Sequence, residues 1–141
     1  AGASLSKVEY HIHNFLKKYS KEQIASFVLQ PWLKRCGSLE ILQYELDQFL
    51  CKNFKNINGG FVIGQYLRSG YPFELVENYI LVHLEIFASE RHVAHIYEGW
   101  LRNHGDCKQI AIFYNQWVSK WDNQEWTQRY KELWASTNCG K

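Results

Sequence analysis

The chain has no Met, two Pro and nine Gly among 141 residues, and it lacks any apolar run of the roughly 20 residues that a membrane-spanning helix needs. The longest candidate, residues 79–88, is broken by His83 and Glu85. So little Pro and Gly excludes a collagenous or linker-like chain. The four cysteines form no CxxC pair and show no zinc-like spacing, which reads as reduced intracellular thiols. No secretory signal is present, so the expected compartment is the cytoplasm, with the nucleus compatible. Without Met, the Ala1-Gly2-Ala3-Ser4 opening reads as an expression scar or a disordered N-terminus. Gly59, Gly60 and Gly64 lack the Gly-Lys-Ser/Thr ending of a phosphate loop, and no nucleophile elbow or isolated acid pair appears. The expectation is therefore no catalysis, no cofactor and no metal.

Aromatic residues, by contrast, are abundant. At 16% aromatic and 46% hydrophobic the chain is not disordered, and a domain of this size buries roughly two thirds of its unfolded surface without a metal or disulfide. The local patterns are helical, with apolar residues at spacings of three and four, as in Val76, Ile80, Leu84 and Phe87. Ser20 to Gln23 and Asp122 to Glu125 read as capping boxes. Gly37-Ser38 and Gly105-Asp106 each pair a helix-ending glycine with a helix-starting cap, and Pro72 suits a first turn.

Displacing the sequence by 34 residues superposes Phe27-Val28-Leu29-Gln30-Pro31-Trp32-Leu33-Lys34 on Phe61-Val62-Ile63-Gly64-Gln65-Tyr66-Leu67-Arg68, and then on His95-Ile96-Tyr97-Glu98-Gly99-Trp100-Leu101-Arg102. A last step brings Trp134 under Trp100. Between these segments the columns Val8/Leu42/Val76/Ile110, Ile12/Leu46/Ile80/Tyr114 and Leu16/Leu50/Leu84/Val118 repeat, and Phe15/Phe49/His83/Trp117 is large throughout. Even the helix starts Ser4, Ser38, Pro72 and Asp106 align. The period predicts eight helices, one set near 5–19, 38–54, 72–88 and 106–121 and the other near 21–35, 58–69, 90–103 and 123–136. Residues 5–136 then form a single helical-repeat domain with a tail at 137–141, and residues 56–60 are its loosest joint.

A 34-residue helix-turn-helix, with Trp100-Leu101-Arg102-Asn103-His104-Gly105-Asp106 leading into Gln109-Ile110-Ala111-Ile112-Phe113-Tyr114 and on to Asp122-Asn123, resembles a tetratricopeptide (TPR) repeat or its half-a-TPR and pentatricopeptide relatives. Leu, Tyr and Trp stand where small residues usually let TPR helices approach, and the Pro that usually closes a unit is missing. The resemblance implies an all-α, right-handed stack of about four hairpins, an α-solenoid. The alternative is a compact helical bundle. It further implies a non-catalytic adaptor that binds a protein or an acidic peptide on the concave face formed by the first helices.

On those helices Lys34, Arg68 and Arg102 fall one per repeat, a ladder suited to carboxylates, and Arg35, His92, His95, Asn103 and Arg129 extend it. A cation in a last helical turn also complements the helix dipole with no ligand at all. His92, His95 and Glu98 have a spacing that metals use, but no second ligand cluster supports it. His83 reads as a packed core histidine with one bonded nitrogen. The column Trp32, Tyr66, Trp100 and Trp134 reads as structural anchors at the hairpin junctions. Trp121 and Trp126 lie outside it and are expected as an exposed aromatic patch. The alternatives are RNA binding, favoured by nine Lys/Arg against five Asp/Glu in residues 1–70, and a fragment of a larger scaffold that self-associates through its Trp-rich final helix.

Overall fold

A computed structural model describes residues 5–103 and 105–141, so the expectations for residues 1–4, the Ser4 helix start included, and for His104 lie outside the described residues. These form eight α-helices and no strand: α1 (Leu5–Tyr19), α2 (Ser26–Lys34), α3 (Leu39–Asn53), α4 (Ile57–Arg68), α5 (Glu77–Phe87), α6 (Ala94–Arg102), α7 (Cys107–Trp121) and α8 (Thr127–Ala135). The bounds of α1, α3, α4 and α7 agree with the predicted helices to within one residue, whereas α2, α5, α6 and α8 begin four or five residues later than the apolar period predicts. The 3-10 turns Gln23–Ala25, Phe73–Leu75 and Arg91–Val93 lead into α2, α5 and α6. None of the described helices is long and apolar enough to cross a membrane.

The helices meet at the period of the sequence. Thus α2 lies against α4, α4 against α6 and α6 against α8, while α1 meets α3 and α5 meets α7. The columns form the core between them: Leu42, Val76 and Ile110, then Leu46, Ile80 and Tyr114, then Leu16, Leu50 and Leu84 are all buried, as are Phe49, His83 and Trp117. No single helix buries its own apolar stripe, so each depends on its neighbours.

One device turns the chain at every second junction, from α2 to α3, α4 to α5 and α6 to α7. The indole N–H of Trp32 donates to the carbonyl of Ser38 at 3.4 Å, the Tyr66 hydroxyl to that of Pro72 at 2.6 Å, and the Trp100 indole to that of Asp106 at 3.1 Å. In each case a buried aromatic ring on one helix reaches six residues forward to the start of the next. The helix ends match as well. Gly37 N–H bonds the Trp32 carbonyl and Cys36 N–H the Leu33 carbonyl, and Tyr71 and Gly70 make the same pair with Tyr66 and Leu67, which is a Schellman cap. The left-handed residue of the first cap is Cys36, at φ 56°, rather than the expected Gly37. Gly37 and Gly105 are required for another reason: a Cβ on either would run into the ring of Trp32 or Trp100. Trp134, the last of the column, is half-buried and stacks on Tyr114 with ring centroids 4.2 Å apart.

Other expectations change. Neither capping box forms: the turn after Ser20 begins at Glu22 with no side-chain cap, and Asp122 pairs with Lys131 instead. Asp106 does cap α7, accepting from Lys108 N–H at 2.9 Å, whereas Ser38 makes no side-chain cap bond. Residues 56–60 are no loose joint. Asn56 caps α4 by accepting from Asn58 and Gly59 N–H, and Gly59 and Gly60 are buried where a side chain would strike Asn53 or the rings of His83 and His92. Glycines also make the close α4–α6 approach possible, with Gly99 against Leu67 and Gly64 against His95. Nor are all the thiols reduced. Cys107, at the start of α7, is disulfide-bonded to Cys139 in the 3-10 turn Asn138–Gly140, leaving Cys36 and Cys51 free and exposed. Residues 32 apart in sequence are nearly one repeat apart, so a period of 34 brings them to the same end of adjacent elements.

Two consequences are measurable by urea denaturation. Gly105→Ala forces Trp100 from its place and is expected to cost about 1–3 kcal/mol. Replacing Cys107 and Cys139 together by Ser removes a cross-link over a long loop and is expected to cost about 2–4 kcal/mol, with no loss from replacing Cys36 and Cys51.

Candidate functional site

The first turn of α4 carries the most unusual chemistry of the chain. Because Asn56 caps the helix, Gly60 sits one turn in, with its bare Cα facing two histidines. His83, from the middle of α5, is fully buried, and its Nδ1 lies 2.6 Å from the Phe54 carbonyl. Its Nε2 lies 2.8 Å from Nε2 of His92, in the turn before α6. Both nitrogens of His83 are therefore engaged, one more than expected. Phe87 and Phe61 bracket the pair, with ring centroids 4.7 Å from His83 and 5.6 Å from His92.

In front of His92 opens a cleft of about 500 Å3, lined by Ile57 and Phe61 of α4, by Ala94 and His95 of α6, by Trp126 at the start of α8 and by Tyr130 within it. Glu90 and Arg91 also line it, the Arg91 guanidinium 5.0 Å from the centre of the Trp126 ring. A volume of this size, mostly apolar with a few convergent polar groups, is typical of ligand sites. His95 contributes an Nδ1 that is buried and makes no hydrogen bond.

The electrostatics follow from burial. Taking the imidazolium out of water disfavours it, so His92 is held down at about 4, by burial first and then by the charge of His83. His83 is lowered by burial, against the opposing effect of its bond to the Phe54 carbonyl. His95 is lowered by burial and by Arg68 and Arg129, with Glu98 opposing. Burial alone would raise the Glu98 carboxyl, but Arg129 at 2.6 Å and Arg102 at 3.1 Å hold it below its ordinary value.

The expected site residues separate into groups. His92, His95 and Trp126 line the cleft together. Lys34, Arg35 and Arg68 are exposed at the ends of α2 and α4 with no ion pair among the described residues, while Arg102 and Arg129 are both spent on Glu98. The three-rung ladder is thus open at Lys34 and Arg68 and internally neutralised at Arg102. Asn103 is exposed and donates to the Gly99 carbonyl at 2.7 Å, ending α6. Trp121 and Trp126 are not an exposed patch: both are half-buried, Trp121 donates to the Ser89 carbonyl at 2.9 Å, and Trp126 packs on Trp117. The final helix is likewise covered in part, with Tyr130 buried and Leu133 and Trp134 half-buried. Among the described residues no three His, Cys, Asp or Glu converge as a metal site.

Sequence reasoning missed the apolar surface. Ile24 and Phe27 on the α2 side and Ile57 and Phe61 on α4 are exposed, Phe27 to 72% and Phe61 to 42%. Both Phe residues stand in the repeat column that continues as His95, which was the available signal. Comparison with family models, with curated proteins and with solved structures returns no match for this chain.

Because His92 titrates near 4 when folded and near its ordinary 6.5 when unfolded, the unfolded chain binds more protons between those values. Stability is therefore expected to fall as pH drops from 6.5 towards 4, and His92→Phe to flatten that part of the profile relative to the unmodified chain. Urea midpoints across this window check it.

Proposed function

We propose that the chain is a non-catalytic helical-repeat module, a stack of four hairpins of the α-solenoid kind, that binds an extended, acidic peptide segment of another protein across α2, α4, α6 and α8. The observation that carries this reading is a pair of parallel rows. Phe27 and Lys34, Phe61 and Arg68, and His95 and Arg102 are each seven residues apart, which puts the two members on one helix face about 10 Å apart. Adjacent helices therefore offer an aromatic row at their starts and a cationic row at their ends. Asn58, whose side-chain amide donates to Gln23 at 2.8 Å, ties the start of α4 to that of the α2 arm. Phe27 and Phe61 hold equivalent positions on helices that pack together, and the continuation of that column into the cleft as His95 supports an occupied surface.

A ligand that lies along this face would place apolar side chains on Phe27, Phe61 and the cleft, and carboxylates near Lys34 and Arg68. Apolar contact supplies affinity in such an interface, and the charges supply register and selection. Glu98 already fills the third rung, so acidic recognition belongs to the α2 and α4 end.

The test is selection of a random-peptide display library on the full chain. Enriched peptides are expected to combine aromatic or aliphatic residues with Asp or Glu. The double variant Phe27→Ser/Phe61→Ser is expected to lose at least about tenfold in affinity with helicity unchanged, since both residues are exposed. Arg68→Glu should weaken binding most at low salt, and Tyr44→Ser, an exposed residue of α3, should have no effect. Absence of enrichment, or binding indifferent to the Phe pair, contradicts the reading. So does salt-sensitive, saturable binding of single-stranded RNA that the Phe pair does not affect.

A further inference from the structure

The hydrogen bonds behind the cleft determine what chemistry it can accept. A backbone carbonyl has no proton to give, so the Nδ1 of His83, 2.6 Å from the Phe54 oxygen, must carry the hydrogen. His83 is fully buried and neutral, which leaves its Nε2 with a lone pair. That lone pair faces Nε2 of His92 at 2.8 Å, so His92 is the donor there. A neutral His92 that donates from Nε2 has a bare lone pair on Nδ1. This Nδ1 makes no hydrogen bond among the described residues, and the opposite edge of the ring is closed off by the backbone of Gly60 and by His83. Two partly buried bonds thus fix the tautomer of a residue that lines the cleft, and its remaining nitrogen is an acceptor.

Three kinds of donor could meet it: a cation, a small amide or hydroxyl, or an aromatic ring bearing N–H or O–H. A cation finds its place taken, since the Arg91 guanidinium already covers the Trp126 ring at 5.0 Å and matches the charge of Glu90, the one carboxylate among the described residues that line the cleft. A small polar group would leave the walls of Ile57, Phe61 and Trp126 uncovered. An aromatic ring covers those walls and brings its single donor to one edge. We propose that, within the peptide-binding reading on which this rests, the cleft takes an indole or phenol side chain whose N–H or O–H donates to Nδ1 of His92.

The proposal is tested on the full chain with two probes, N-acetyl-L-tryptophanamide and its 1-methyl-indole analogue, which differ in the donor. The unmethylated probe is expected to bind about fivefold more tightly, the value of one ordinary hydrogen bond, and to shift the Nδ1 resonance of His92 in a nitrogen-15 spectrum of the imidazoles. In the free chain that nitrogen is expected to be unprotonated. In His92→Phe the two probes should bind alike. Equal affinity of the probes for the unmodified chain, or a proton on Nδ1 of free His92, overturns the donor assignment. Saturation by neither probe while a selected peptide still binds overturns the pocket assignment alone, and failure of the peptide as well overturns the underlying reading with it.

Discussion

An aromatic side chain that reaches six residues forward to a backbone carbonyl is the interaction on which the rest of the structure depends. Helix ends leave orphan backbone groups, and a chain that reverses direction every dozen or so residues must satisfy them repeatedly. Trp32, Tyr66 and Trp100 each bury a ring and donate to the first backbone carbonyl beyond the turn, so one residue both fills the junction and aligns the next helix. The Tyr71 hydroxyl extends the arrangement between units by donating to the Gly37 carbonyl at 2.5 Å, a separation of 34 residues. With the junctions fixed at that interval, α2, α4, α6 and α8 come side by side, and residues far apart in sequence share a surface.

That geometry explains why the fold was largely legible and the site only in part. A column of four residues at one spacing carries a redundant signal, so the buried positions from Leu42 to Trp117 could be read without any tertiary knowledge. Features that occur once carry no such signal. Gly60 looks like a loop glycine until His83 and His92 are seen in the space that its side chain would occupy. Asn56 is equally silent, because its capping oxygen matters only once α4 is known to begin at Ile57. Cys139 has no local partner, and its bond to Cys107 follows from the period rather than from any cysteine motif.

Charges were the least readable element. Lys34, Arg68 and Arg102 are equivalent in sequence, yet Glu98 distinguishes the third by pairing it and Arg129 across α6 and α8. Where the unit has Gln30 and Gly64, the third copy has Glu98, and that single difference converts an open cation into a structural clamp. The aromatic row changes in the same copy, with His95 in place of Phe. Variation within a regular repeat therefore concentrates where α6 meets α4 and α8, and the cleft lies there.

The central proposal is that the face of α2, α4 and α6 marked by the Phe and cation rows binds the peptide. The most direct measurement is amide chemical-shift mapping of the full chain, titrated with a display-selected peptide. The account predicts that the largest changes cluster at Phe27, Phe61, Arg68, His92 and His95, with Tyr10, Tyr44 and Ile112 on the helices α1, α3 and α7 unmoved. Changes centred on those three residues instead would contradict it.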